Sequence, residues 1–531
     1  MPITINDERN LYEALTRRNY FPNQKDFIGE LPPCLDTRQF TPEVCEALAA
    51  LEDDAERRRS GYDLVEYKAT RYNNVPRVLS LVHPKAYSFL AKHIHDNWNF
   101  IKFIEEGVNS KIKPEQRQDG RIMVMNYEDP MSQKRRYNDA SFSSKFRVSA
   151  DISNCFNSIY SHAIPWAAVG IATAKQNRGN TLWYNKLDLF QRKSKRGETQ
   201  GIPIGPATSS FVVEMILQRV DEILENAGYV FERYVDDYLC FCKTYEKAQD
   251  FILILGQALA KYKLTLNLNK TNIKELPSPS EDDWILELLG AIPNRYAKPE
   301  GQDHKFFSTE AITFINRAII VNEATPDGSV LKYAIQLMVA HLDESAVIDV
   351  LGAVINLAWH YPILIPYISL LIDLANVPHE QYEQQIDQII QENAKQKRSD
   401  GMAWPLYILK KQNLIPSANA IRSIIESEDC VAITILSSMV ENKQPIIEFI
   451  DPILTSDLYT KDSYWLLLYQ LYFSGDIANN PYDDEVFNVL RAFQVNFLPG
   501  ETISEAEQEC DRIAFGFVSE AFRQSPPEPD F

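Results

Sequence analysis

Three carboxylates in the middle of this 531-residue chain stand where carboxylates do chemistry. Asp151 closes the stretch Phe146-Arg147-Val148-Ser149-Ala150-Asp151, whose apolar and polar residues alternate as in a half-buried strand. It therefore falls on the polar face at the strand's end. Asp236 and Asp237 follow 85 residues later, between the aromatic and β-branched runs 231–235 and 238–242. That pattern reads as a hairpin with a two-residue acidic turn at its tip. Taken singly, each has a plainer reading: an N-capping Asp before a helix, and adjacent acids in an ordinary turn. Between apolar strands, however, neighbouring carboxylates repel, and a cation offsets that repulsion. Carboxylates gathered from the two segments can hold two divalent metal ions. Such a pair activates an attacking oxygen and stabilises leaving pyrophosphate in an in-line phosphoryl transfer.

A third segment lies between them. Gln200-Gly201-Ile202-Pro203-Ile204-Gly205-Pro206 precedes a predicted helix over 207–226. Gly and Pro at a helix start let a substrate approach the backbone, and the helix dipole favours phosphate there. A plain loop-to-helix connection fits the segment equally well. Residues 131–200 hold 12 Lys+Arg against 4 Asp+Glu, a basic window around Asp151 suited to polyphosphate or a short single strand.

The whole chain is acidic, with formal charge −19 and pI near 5.0, which excludes a protein that coats long duplexes. The charge is uneven: residues 1–300 hold 40 Lys+Arg and 40 Asp+Glu, whereas residues 301–531 hold 14 and 33. The seven cysteines are scattered, which fits a reducing compartment and excludes a disulfide scaffold. No C-x-x-C pair or H-E-x-x-H suggests zinc. The N-terminus lacks a signal-peptide pattern. The apolar stretch 350–372 contains Asn356, His360, Pro362 and Pro366 and reads as two buried helices, not a membrane span. The expectation is a soluble, cytoplasmic protein with no membrane partner.

The elements that must position these residues follow from periodicity. Residues 1–60 read as short helices, 77–82 as a strand, 85–106 as one helix, and 107–145 as loop. The region 146–270 is mixed α/β, and 293–303 reads as a linker. Beyond 305 nearly everything is amphipathic helix, in pairs at intervals that suit a HEAT-like solenoid. The Pro-rich tail 525–531 is expected to be disordered.

Together these segments resemble the reverse transcriptases. Tyr234-Val235-Asp236-Asp237 is similar to their YxDD box, and Asp151 through Phe156 to their D-x4-[F/Y] box. Gln200-Gly201 with Pro203 resembles the box between them. Arg77, followed by His83-Pro84, resembles the triphosphate-binding segment of the fingers, with Lys68 beside it. Leu264 through Lys270 and Leu288-Leu289-Gly290 resemble the next box and the primer grip. The resemblance covers residues 60–300. It implies that Asp151, Asp236 and the backbone of Ile152 bind Mg²⁺ or Mn²⁺, with Asp237 in support. It further implies that Phe156 lies under the sugar and selects dNTPs, that Gln200 and Gly201 line the nucleotide pocket, and that Lys270 protonates pyrophosphate.

Two departures narrow the subfamily. Gly205 stands where most reverse transcriptases carry Ser, and an acidic all-helical region replaces a small basic thumb. That arrangement resembles the bacterial abortive-infection reverse transcriptases of the AbiK type. The resemblance implies an α+β fold: fingers and a ferredoxin-like palm, followed by an all-α HEAT-like domain. The expected domains are 1–60, 61–300 and 301–524. It implies a cytoplasmic homo-oligomer, a trimer or hexamer, that makes single-stranded DNA without a template. Synthesis would be primed by a protein hydroxyl, so the DNA stays attached, in defence against phage. Conventional RNA-templated synthesis and an inactive palm serving as a scaffold are the competing readings.

Overall fold

The computed structural model describes residues 8–22, 29–71, 75–115, 120–123, 130–293, 305–325, 329–375 and 377–499. Among the described residues up to 293, two sheets organise the chain. Strands β1 (Leu64–Thr70) and β2 (Pro76–Val82) pair as an antiparallel ribbon. Strands β3 (Phe146–Asp151), β4 (Phe231–Tyr234), β5 (Asp237–Cys242) and β6 (Asn272–Glu275) form a second, antiparallel sheet in the order β4-β5-β3-β6. Direct cross-strand partners share a face, so the register sorts the second sheet. Phe231, Arg233, Tyr238, Cys240, Val148 and Ala150 lie on one face and are buried. Helices Ala207–Asn226 and Tyr245–Lys261 cover that side. Asp151, Asp237, Ser149 and Leu239 lie on the other.

The 85–106 segment is not one helix. A helix runs over Pro84–Asp96, and the chain restarts at Asn97 as Trp98–Ile101 and a 3₁₀ turn over Lys102–Glu105. The 107–145 segment is not all loop, for Pro130–Ser141 is helical. That helix is so polar that it offers no apolar stripe to read. The expected linker falls mostly, and the tail wholly, outside the described residues.

Beyond residue 305 the described chain is helical, from Ser308–Ala324 to Val486–Ala492. The apolar stretch breaks where Pro362 enters: one helix ends at His360 and the next spans Ile365–Ala375. Among the described residues no helix is long and apolar enough to cross a membrane.

This helical region closes over the ribbon. A free strand edge exposes unpaired N–H groups, and here side chains satisfy them. Lys68 N donates to Ser399 Oγ (2.8 Å), Thr70 N to Asp400 Oδ2 (2.7 Å), and Asp63 N to Asp462 Oδ2 (2.9 Å). Asp462 also pairs with buried Arg57 and accepts from Tyr482 Oη at 3.0 Å. Phe497 packs among Tyr20, Phe21 and Phe40, so the described residues before 60 share one apolar core with the last described helices.

The same packing accounts for Gly205. Its φ is +124°, and a Cβ there would stand 2.3 Å from Pro22 Cβ and 3.2 Å from Pro22 Cα. The N-terminal segment thus occupies the space a side chain would need. Gly205→Ser is expected to destabilise the protein by about 1–3 kcal/mol through overpacking and backbone strain. Thermal unfolding checks this; an unchanged Tm would mean that Pro22 does not bear on the loop.

Candidate active site

The hairpin brings the carboxylates together, with one shift from the expected turn. Tyr234 pairs with Asp237, so the turn residues are Val235 and Asp236, and Asp237 opens β5. Val235 has φ +53°, a strained conformation for a β-branched residue. Arg233 holds it: the guanidinium Nη1 donates to Val235 O at 3.0 Å. Arg233 is itself fully buried and bridges Glu214 (2.9 Å) and Asp221 (2.9 Å) on the Ala207–Asn226 helix. Tyr238 Oη and Ser110 Oγ complete this network, donating to Asp221 and Glu214 respectively.

Asp151 and Asp237 are direct cross-strand partners, an arrangement that is destabilising for like charges. One carboxylate oxygen from each of Asp151, Asp236 and Asp237 lies within 4.8 Å of the other two. Asp151 is buried, Asp236 partly so, and Asp237 is the most open. Burial, then the charge of Asp151, raises the Asp236 carboxyl above its ordinary range, while Lys270 and Arg77 oppose the rise. Burial, then the charges of Asp236 and Asp151, pushes Asp237 up to about 7. A set of oxygen donors crowded this closely, with two of its members resisting ionisation, fits a hard divalent cation.

The surrounding backbone fixes the set. Ile152 N donates to Asp236 O (3.1 Å), and Asn267 N donates to Asp151 O (2.8 Å). Asn267 Nδ2 also donates to Asp151 Oδ2 (2.8 Å), and Lys270 Nζ stands 3.5 Å from Asp151 Oδ1 with its side chain 66% exposed. Phe156 is half-buried, and its carbonyl accepts from Ile202 N at 3.0 Å, which zips the segment after Asp151 to the Gly-Pro loop. Gln200 Nε2 donates to Ser158 O (3.0 Å), and Gly201, at φ +79°, donates its N–H to Ile159 O (2.8 Å). A Cβ on Gly201 would meet Asn157 O at 3.2 Å. Thus Asp151, Ile152, Phe156, Gln200, Gly201, Asp236, Asp237 and Lys270 belong to one connected neighbourhood.

Arg77 reaches it electrostatically, through its effect on Asp236, and stands 3.9 Å from Glu30. Lys68 does not share that face. It pairs with Val78, whereas Arg77 pairs with Ala69, so the two cations lie on opposite sides of the ribbon. Lys68 lies 3.9 Å from Glu66 and acts on Asp429 of the helical region. The sequence reading missed Asn267 as an Asp151 partner and missed the Arg233–Glu214–Asp221 network. A signal for the network exists: Glu214 and Asp221 stand seven apart, two turns along one face of the helix, and Arg233 alternates with Glu232 on the following strand.

Residues 94–302 match the family model described as reverse transcriptase (RNA-dependent DNA polymerase). The chain carries a reverse-transcriptase domain. That domain spans β3 through the Asp283–Gly290 helix and includes all three carboxylates. The apo telomerase of Candida tropicalis is 10% identical with a TM-score of 0.30, over 76% of this chain and 69% of that one. Candida albicans telomerase, solved with a TWJ fragment of telomeric RNA, is 10% identical with a TM-score of 0.29, over 75% and 68%. No curated protein sequence matches. Reverse-transcriptase domains act on nucleotides and nucleic acid with divalent metal, and the three carboxylates are a group that could hold such an ion.

Proposed function

We propose that this chain is a DNA polymerase of the bacterial abortive-infection type, which extends a hydroxyl of its own with dNMPs and needs no template. The observation that carries the polymerase reading is the carboxylate cluster, in which Asp151 and Asp237 face each other across strands beside Asp236. Bound Mg²⁺ or Mn²⁺ would supply Lewis-acid activation of the attacking oxygen and charge stabilisation at the phosphorus. Asp151, Asp236 and the Ile152 carbonyl would hold the metal, with Asp237 in support. Arg77, and not Lys68, takes the triphosphate. Phe156 lies under the sugar and excludes a 2′-hydroxyl; Gln200 and Gly201 line the pocket. Lys270, already beside Asp151, gives a proton to leaving pyrophosphate.

Template independence is supported by charge. Residues 301–531 carry all of the net −19, and their helices close over the fingers ribbon in place of a basic thumb. Such a surface gives a long duplex little electrostatic attraction. In this reading residues 1–60 brace the fingers, 61–300 polymerise, and 301–524 form a HEAT-like scaffold in a trimer or hexamer. The single-stranded product stays covalently attached, and its synthesis serves antiphage defence in the cytoplasm.

The test is labelled-dNTP incorporation by purified protein with Mg²⁺ or Mn²⁺ and no added template or primer, resolved on a denaturing gel with and without protease. Label that migrates with the protein and is freed by protease supports the reading. Label that appears only with template and primer replaces it with conventional RNA-templated synthesis. No label under either condition leaves a scaffold.

A further inference from the structure

An aromatic and cationic surface continues outward from Gln200 within the basic window 131–200, and none of its side chains has been given a role above. Tyr160 bridges to Gln200 in an isolated antiparallel pair. Its ring stands 5.1 Å from that of His162 at 85°, and 5.8 Å from that of Trp166 at 61°. All three side chains are only partly buried. Beyond Trp166, Lys175 Nζ lies 5.9 Å from the indole centroid. On the other flank His162 and Arg192 converge on buried Asp188, at 2.7 and 3.1 Å, which leaves their outer edges to solvent. Residues 160–200 contain seven Lys+Arg and two Asp+Glu; Lys193 is buried beside Asp53 and Arg196 faces Asp63, so the cations placed at this surface are Lys175 and Arg192.

Core packing accounts for only part of this arrangement: Trp166 packs against the apolar core, yet Tyr160, His162 and Trp166 each keep exposed surface, with the Lys175 ammonium over the indole and Arg192 sharing Asp188 with His162. Sequence-tolerant binding of single strands uses that pairing: bases stack on aromatic rings while lysine and arginine track the phosphates. A duplex stacks its bases internally and has no free base face to offer.

We propose that single-stranded DNA docks here, with a base against Trp166 or Tyr160 and phosphates toward Lys175 and Arg192, so that the strand leaves or approaches the Gln200 side of the nucleotide pocket across this surface. The proposal deepens the polymerase reading by giving the strand a path, and binding can be measured without chemistry. Acidic helices of a second copy are the competing occupant.

The experiment uses full-length Asp236→Asn protein, which carries no product of its own, and a labelled oligothymidylate of about 12 nucleotides, a length within the usual range for such surfaces. Anisotropy without metal reports affinity over a salt series. Trp166→Ala is expected to weaken binding about tenfold, within the range for one stacked base, and Trp166→Phe to recover most of it. The double variant Lys175→Gln/Arg192→Gln should flatten the slope of log K against log salt by about 1.4, the loss of two single-strand phosphate contacts. Lys175 is exposed, so a change in its slope does not come from misfolding. Affinity and slope unchanged in all three variants overturn the docking site, as does absence of binding by the parent. If sedimentation instead shows that these variants dissociate an oligomer while oligonucleotide affinity is unchanged, the occupant is a second copy. Incorporation by the wild type is scored separately: oligonucleotide binding that depends on Trp166 with no incorporation would sink the polymerase reading and leave the surface standing.

Discussion

Asp236→Asn is expected to lower dNMP incorporation on the order of 10³-fold or more, the scale on which charge-stabilising groups act in phosphoryl transfer, while making the metal-free protein more stable. Both effects come from one geometry. One carboxylate oxygen from each of Asp151, Asp236 and Asp237 lies within 4.8 Å of the other two, and Asp236 is the second-largest cause, after burial, that raises Asp237 to about 7. A carboxyl whose folded pKa exceeds its unfolded value weakens the fold when it ionises. That penalty is absent below the unfolded value, grows as pH rises between about 4 and 7, and is complete above 7. Removing the Asp236 charge lowers the Asp237 pKa again and lifts part of the penalty. Because Asp237 is open to water, the gain is about 1 kcal/mol and not the several that the shift alone would suggest.

Thermal unfolding at pH 8 with chelator checks this prediction, which requires a higher Tm for the variant. At pH 5 the difference should shrink, since the wild-type cluster has then taken up a proton. Adding Mg²⁺ or Mn²⁺ should raise the wild-type Tm and move the variant less, because ligand binding to the native state stabilises by mass action. A variant with full incorporation, or with the same metal-induced shift as the wild type, would sink the two-metal assignment.

How far the sequence reached depends on the range of the interaction that fixes each element. The strand over Phe146–Asp151 and the helix over Ala207–Asn226 appear at the residues where alternation and helical spacing put them, because a single buried face dictates each. The carboxylate segments were legible for the same reason, since only a special setting places adjacent acids between apolar strands. The hairpin turn was misplaced by one residue because Val235 adopts a left-handed conformation that local preference disfavours. Arg233 imposes that conformation from inside the fold. Lys68 and Arg77 both looked available to a triphosphate in the sequence; pairing register alone puts them on opposite faces. The ties between Arg57 and Asp462, 405 residues apart, or between Thr70 and Asp400, carry no local signal at all. The sequence was therefore expected to divide at residue 300, yet buried polar contacts and a shared aromatic core cross that boundary.

Arg233→Met should destabilise the protein by about 3–5 kcal/mol, the cost of stripping one partner from a buried ion network. The arginine has no exposed surface, and its guanidinium is shared between Glu214 and Asp221 while it fixes the Val235 carbonyl. Methionine fills a similar volume, so the expected loss comes from two carboxylates left in a dry interior and not from a cavity. Burial already pushes Asp221 up to about 6 with Arg233 in place. Without that cation the carboxyl must rise further, so the native variant holds protons that its unfolded chain releases. Its stability should therefore recover as pH falls from 8 toward 5, opposite to the behaviour of a cavity mutant, whose deficit is independent of pH. Urea unfolding at several pH values separates the two cases, and a pH-independent deficit would assign Arg233 to packing alone. The refolded variant at low pH gives a further readout. With the Val235 carbonyl released, the turn relaxes from its left-handed conformation and Asp236 moves relative to Asp151. Affinity for Mn²⁺, measured by the metal-induced rise in Tm, should then fall even where the fold is regained, because the strained turn sets the spacing of the carboxylates.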